Sequence, residues 1–105
     1  MLESTRTLEG ILEGVSKEAF VSDIILRNAA ANLLIVIGEA ANHVSKDLCD
    51  KYVAIPWQDV IDNRNMMVHG YFSISWSIVW ETATVFAIPL HEQIFQILES
   101  DFPGW

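Results

Sequence analysis

Basic residues are scarce in this chain, with six Lys and Arg against fourteen Asp and Glu and a formal charge of −8 over 105 residues. Nonspecific grip on nucleic acid comes mostly from phosphates neutralised by Lys and Arg, so this balance excludes a broad electrostatic nucleic-acid surface. Any polyanion site must be local. The one cysteine, Cys49, excludes an intramolecular disulfide and fits a reducing compartment. It reads as a small buried or helix-end residue rather than a nucleophile. No continuous apolar stretch opens the chain, where Glu3, Arg6, Glu9, Glu13, Lys17 and Glu18 intervene, so no signal peptide is expected and the location is read as cytoplasmic. The most apolar run, Ala29 to Gly38, is shorter than the ~20 residues that span a bilayer, and no membrane partner is expected. There is no Gly-rich phosphate loop and no Ser-His-Asp order. His43, His69, His91 and Cys49 lack zinc-ligand spacing and the carboxylates form no cluster, so neither a metal nor a cofactor is expected.

What is present is apolar: 51% of residues are hydrophobic and 19% charged, which for one small domain spanning 1–105 suggests that some surface is hidden by self-association. A homodimer or higher homo-oligomer is expected. The periodicity predicts an all-α bundle of about four helices. Leu8, Ile11, Leu12 and Val15 mark a short amphipathic first helix, weakened by Gly10 and Gly14. A second, longest helix is predicted from about Asp23 to Asp50, capped by Ser22, with Leu33 to Ile37 apolar on every face and therefore surrounded by neighbours. Pro56 suits the first turn of a third helix that runs through Trp57, Val60 and Ile61 to His69, with Gly70 at its end. The last helix is predicted from about Trp76, after a Ser75 cap, to Glu99, kinked at Pro89. Its core face is predicted to be Ile78, Thr82, Val85, Phe86, Pro89, Gln93 and Ile97. A strand through "YFSISWSIVW" is the weaker alternative, because no partner strand is visible elsewhere.

The segment "DNRNMMVHGYF", Asp62 to Phe72, sets an arginine, a histidine and a tyrosine around a glycine. Arg64 can hold a phosphate and stabilise charge growing on its oxygens, and His69 can move a proton near neutral pH. Those parts suit metal-free cleavage of RNA, in which a ribose 2′-OH attacks the adjacent phosphodiester. On a regular helix the two residues, five apart, differ by about 140° in direction, so spacing alone does not pair them. From spacing alone a structural role is the favoured reading at this point, with Arg64 paired to Asp62 or Glu39 and His69 closing a helix end. Glu39, beside the apolar run, needs a partner such as Arg27 or Arg64, or an exposed edge. Trp57, Trp76 and Trp80 read as packing or dimer contacts rather than base-stacking platforms.

"RNMMVHGYF" resembles the signature of the HepT-like ribonuclease toxins of the HEPN superfamily, an arginine, four residues, a histidine, one residue and a tyrosine. "LRNAAANLLIVIGEAA", "IPW" and "IVWE" agree in order, so the resemblance covers roughly Phe20 to Leu98, with a first helix shorter than is usual in the family. It implies a helical homodimer in which Arg64, Asn65 and His69 of both protomers line a shared cleft for metal-independent cleavage of RNA. It also implies a toxin–antitoxin pair in which a minimal nucleotidyltransferase antitoxin silences the toxin by AMPylation of Tyr71. The alternative function is a non-catalytic helical partner, or substrate-binding subunit, of such a nucleotidyltransferase.

Overall fold

The computed structural model describes residues 1–70 and 74–104, without the side chain of Phe86, and the regular structure among these residues is entirely helical. Helix α1 spans Leu2–Leu12, α2 Lys17–Ser22, α3 Ile24–Asn42, α4 Lys46–Lys51 and α5 Trp57–His69. The last helix is continuous: α6, Trp76–Glu81, passes through a π turn, Thr82–Ala87, into α7, Ile88–Asp101. Four long helices thus build an all-α, HEPN-like bundle, and the two short ones, α2 and α4, turn the chain between them.

Local chemistry sets most of these limits. Gly14, at φ 73°, takes the left-handed backbone that lets the chain leave α1 and enter α2, which Ser16 caps through its hydroxyl on the Ala19 N–H. The cap of α3 is Asp23 rather than Ser22. The Asp23 carboxylate accepts from the Ile25 and Leu26 N–H groups at 3.1 and 3.0 Å, while the Ser22 hydroxyl turns back to the Glu18 carbonyl inside α2. The long second helix expected to reach Asp50 stops at Asn42. His43 and Val44 close its end by donating to the Ala40 and Ala41 carbonyls, and Ser45 caps a new helix through the Leu48 N–H. Ser75 caps α6 as expected, and Pro56 stands at the N-cap of α5.

The core is one cluster running from Leu8 and Leu12 of α1 through α3 to Val60 and Met67 of α5 and Leu90, Ile94 and Ile97 of α7. Phe20 of α2 is fully buried against it and meets the Trp80 ring at 5.4 Å. Thr5 is buried too; its hydroxyl donates to the Leu2 carbonyl and lies 3.3 Å from His91 Nδ1, joining α1 to α7.

Two expectations about faces are corrected. Helix α3 buries a stripe, Ala30, Ala31, Leu34, Ile37, Gly38 and Ala41, and is not surrounded, because Val36 is 43% exposed. By length and composition alone this helix could cross a membrane, yet here it supplies the central stripe of the core. In the last helix the core takes Val79, Ala83, Ala87, Leu90, Ile94 and Ile97, while Ile78 and Val85 are exposed. The steps of four from Val79 to Ala87 follow the wider π turn, and two of these residues are alanines, which a search for large apolar side chains passes over. A π turn lies just upstream of Pro89, where the kink is expected. Ile88 donates to the Ala83 carbonyl five residues back, so the backbone widens just before the residue that has no N–H to give.

The molecule measures 41 × 29 × 19 Å, so in its thinnest direction it is about two helix diameters deep. Val36 on α3 and Met66 and Val68 on α5 lie on its surface.

Candidate active site at the packing of α3 against α5

Helix α5 approaches α3 at Gly38. A Cβ built there would meet Arg64 Cβ at 2.3 Å, Arg64 Cγ at 3.0 Å and the Val60 carbonyl at 3.0 Å, so the stem of Arg64 lies directly over the glycine. From that anchor the guanidinium reaches the surface, where the side chain is 27% exposed. Nη2 pairs with Glu39 Oε2 at 2.7 Å, and Nη1 donates to Asn65 Oδ1 at 2.8 Å. Nε is buried and has no hydrogen-bond partner among the described residues. The other Glu39 oxygen lies 3.5 Å from Nε2 of His43, one turn further along α3. The result is a surface row of Asn65, Arg64, Glu39 and His43.

Of the partners open to Arg64 in the sequence, the fold selects Glu39. Asp62 instead accepts from Gln58 Nε2 at 2.8 Å, because two residues along a helix point to opposite sides. Asn63 reaches the π turn, with its Nδ2 3.4 Å from Thr82 Oγ1. Arg27 serves elsewhere, donating from Nη1 to the Val21 carbonyl at 2.8 Å and stacking 5.0 Å from the centre of the Trp76 ring. Trp57 is the packing anchor expected of it, 9% exposed and donating its indole N–H to the Tyr52 carbonyl.

His69 is exposed and is the last residue of α5. The helix ends at Gly70 as expected but for a different reason than a left-handed cap. Gly70 sits at φ −121°, its N–H donates to the Met66 carbonyl at 2.8 Å, and a Cβ would stand 3.0 Å from that same oxygen. Because α5 stays helical through His69, Arg64 turns to α3 while His69 points about 140° away, and the two share no hydrogen bond. One protomer therefore brings Arg64 and Asn65 together and leaves His69 apart. Tyr71, the expected modification site, lies outside the described residues.

A second polar cluster was not legible in the sequence. Asp101, at the end of α7, accepts from Lys51 Nζ at 2.8 and 3.0 Å and from the Tyr52 hydroxyl at 2.8 Å. The Lys51 and Tyr52 hydrogen bonds hold the Asp101 carboxyl below the usual carboxylate range, and the same carboxylate pushes Lys51 and Tyr52 up. It clips α4 to the end of the bundle. An open groove of about 620 Å³ between α1 and α7, lined by Leu2, Glu3, Arg6, Thr7 and Leu98, shares no residue with the Arg64 row. Cys49 is a half-buried free thiol on α4.

Comparison with known proteins identifies the family. The family model described as "Ribonuclease HepT-like" matches residues 1–97. A protein of Caldanaerobacter subterraneus subsp. tengcongensis named "Putative RNase TTE0752" is 32% identical over 90 residues, covering 86% of this chain and 80% of its own. In Methanocaldococcus jannaschii, "Putative RNase MJ1216" is 30% identical over 104 residues, covering 99% of this chain and 85% of its own. "Probable ribonuclease HepT" of Thermococcus cleftensis is 26% identical over 80 residues, covering 76% and 73%. No solved structure matches the chain. By fold, motif and relatives alike, the chain belongs to the HepT-like ribonuclease family.

Proposed function

We propose that the chain is a metal-independent endoribonuclease, the toxin of a toxin–antitoxin pair, working in the cytoplasm as a homodimer. The observation that supports this best is the fixed Arg64 guanidinium, held at the surface by Glu39 and Asn65 at the start of the Arg-to-His motif. In an acidic protein it is one of six basic side chains. The geometry allows it to meet a phosphate oxygen, while His69 at the exposed helix end is placed to exchange protons with solvent or substrate.

The reaction follows from those groups. The ribose 2′-OH gives up its proton and attacks the adjacent phosphorus, the bond to the 5′ oxygen breaks, and that oxygen takes a proton as it leaves. Arg64 stabilises the charge that grows on the phosphoryl oxygens, Asn65 supports the phosphate or Arg64, and His69 transfers the proton. Since Arg64 and His69 diverge on one α5, a two-fold pairing of α5 helices supplies the missing juxtaposition by setting Arg64 of one protomer beside His69 of the other. Val36, Met66 and Val68 provide exposed apolar surface on the two helices involved.

Silencing is proposed to occur at Tyr71, where a nucleotidyltransferase antitoxin attaches AMP to the phenolic oxygen. The added phosphate, close in sequence to His69, would engage Arg64 and obstruct RNA. The test is co-expression with a nucleotidyltransferase encoded beside the gene. The chain alone should arrest growth, His69→Ala should not, and Tyr71→Phe should keep arresting growth when the neighbour is present. Mass spectrometry of the silenced protein should find AMP on Tyr71 and none on Tyr52. Tight binding to the neighbour without growth arrest or RNA cleavage would favour a non-catalytic partner of the nucleotidyltransferase instead.

A further inference from the structure

Three local features meet at one guanidinium. Gly38 stands in the interior of α3, where it gives up helix propensity to admit the stem of Arg64. Arg64 Nε is buried with no hydrogen-bond partner among the described residues, a desolvated donor left unused. Glu39 sets a carboxylate at the edge of the most apolar run in the chain. The ion pair they produce has side chains 27% and 47% exposed, and pairs so open to water contribute little to stability. An ion pair that adds little to stability, made by an arginine whose buried Nε is left unused, serves some other need at that position.

We infer that Glu39 is a positioning residue, which fixes the orientation of the Arg64 guanidinium so that its free N–H groups face an incoming phosphodiester. The inference rests on the role proposed for Arg64 in RNA cleavage and adds a residue of α3 to the working parts. Arginine is long and its head swings on several rotatable bonds. Here the stem is pinned against the bare Cα of Gly38, one terminal nitrogen is tied to Glu39 and the other to Asn65. Of its five donors, these contacts leave one N–H on each terminal nitrogen for a ligand. His43 Nε2 lies 3.5 Å from the second Glu39 oxygen. A guanidinium fixed before substrate arrives loses no freedom on binding, and a small misplacement costs rate rather than affinity.

The test compares the full chain with its Glu39→Gln and Glu39→Ala variants in two measurements. One is steady-state cleavage of a fluorescent single-stranded RNA of mixed sequence. The other is the exchange with solvent of the Arg64 Nε–H, followed by nitrogen-15 NMR and assigned through Arg64→Lys. Glu39→Ala should lower kcat by at least about tenfold with KM little changed. It should also quicken Nε–H exchange while leaving the thermal midpoint nearly where it was. Glu39→Gln keeps an acceptor oxygen for Nη2, so it should recover much of both properties. An unchanged Nε–H exchange rate in Glu39→Ala overturns the inference, and so does a kcat that stays constant or rises, since a rise would make Glu39 a competitor of phosphate. If the wild-type chain cleaves no RNA, the ribonuclease role fails on its own, and the exchange measurement alone decides whether Glu39 holds Arg64.

Discussion

Gly38 and Gly10 both lie inside helices, and they are expected to answer the same substitution in opposite directions. Alanine at Gly10 meets nothing within 4 Å, so Gly10→Ala should stabilise the protein by about 0.5–1 kcal/mol through helix propensity alone. Alanine at Gly38 meets the Arg64 stem at 2.3 Å, and forcing α3 and α5 apart should cost about 1–3 kcal/mol, more than propensity returns. Urea denaturation of both variants checks the pair, and a stabilised Gly38→Ala would mean that α5 is free to move. At this scale the sequence shows the site only in part. Arg64, Asn65 and His69 stand out through the motif that resembles the HepT-like signature, whereas the use of Gly38 is invisible until α5 is laid across it. Glu39 is legible as a charge in need of a partner. Which of Arg27 and Arg64 supplies it depends on how the helices pack, and Arg27 turns out to be taken by the Val21 carbonyl and Trp76.

Among the helices, the starts of α5 and α6 are easier to read than the breaks inside longer apolar segments. Ser75 and Pro56 announce α6 and α5 through local chemistry, and local chemistry is what a single sequence carries. The break at His43 to Ser45 went unread because residues 23–50 contain no proline, and Ser45 in an unbroken helix looks no different from Ser45 as a cap. The π turn was also hidden, since Pro89 signals a disturbance but its relief is placed upstream, over Thr82–Ala87. The clip between α4 and α7 depends wholly on tertiary structure, joining residues about fifty positions apart. Its acidic member carries the prediction at this scale. The folded pKa of Asp101 is depressed by Lys51 and Tyr52, so the stability it contributes is present above the ordinary carboxylate pKa of about 4 and is lost as pH falls through the lower folded value. Asp101→Asn should therefore melt below wild type at neutral pH, and the gap should close on acidification. A gap that persists in acid would show that the clip works by shape and not by charge. Lys51 and Tyr52 have the opposite sign: their raised values give stability that is present below about pH 10 and is lost as pH rises through the folded pKa values.

At the scale of the whole molecule, a bundle two helices deep with bare apolar residues on α3 and α5 is expected to pair. Sedimentation at micromolar concentration should give a dimer, and Val68→Glu should shift it toward monomer with the helical content kept. If each cleft joins Arg64 of one chain to His69 of the other, Arg64→Ala and His69→Ala should each be inactive as purified. Mixed and allowed to exchange, they should regain activity, because half the clefts in a mixed dimer then hold both intact residues. No recovery in a mixture shown to exchange subunits would place each site within one chain. The central claim remains the chemistry of the Arg64 and His69 motif. The most direct measurement is cleavage of a single-stranded RNA by the purified chain in excess chelator, alongside His69→Ala prepared in the same way and shown by circular dichroism to be folded. The account predicts wild-type cleavage that the chelator leaves unchanged, with a cyclic phosphate at the new end, and a loss of at least about a hundredfold in His69→Ala. Cleavage that survives His69→Ala, or that stops with chelator and returns with a divalent metal, would contradict it.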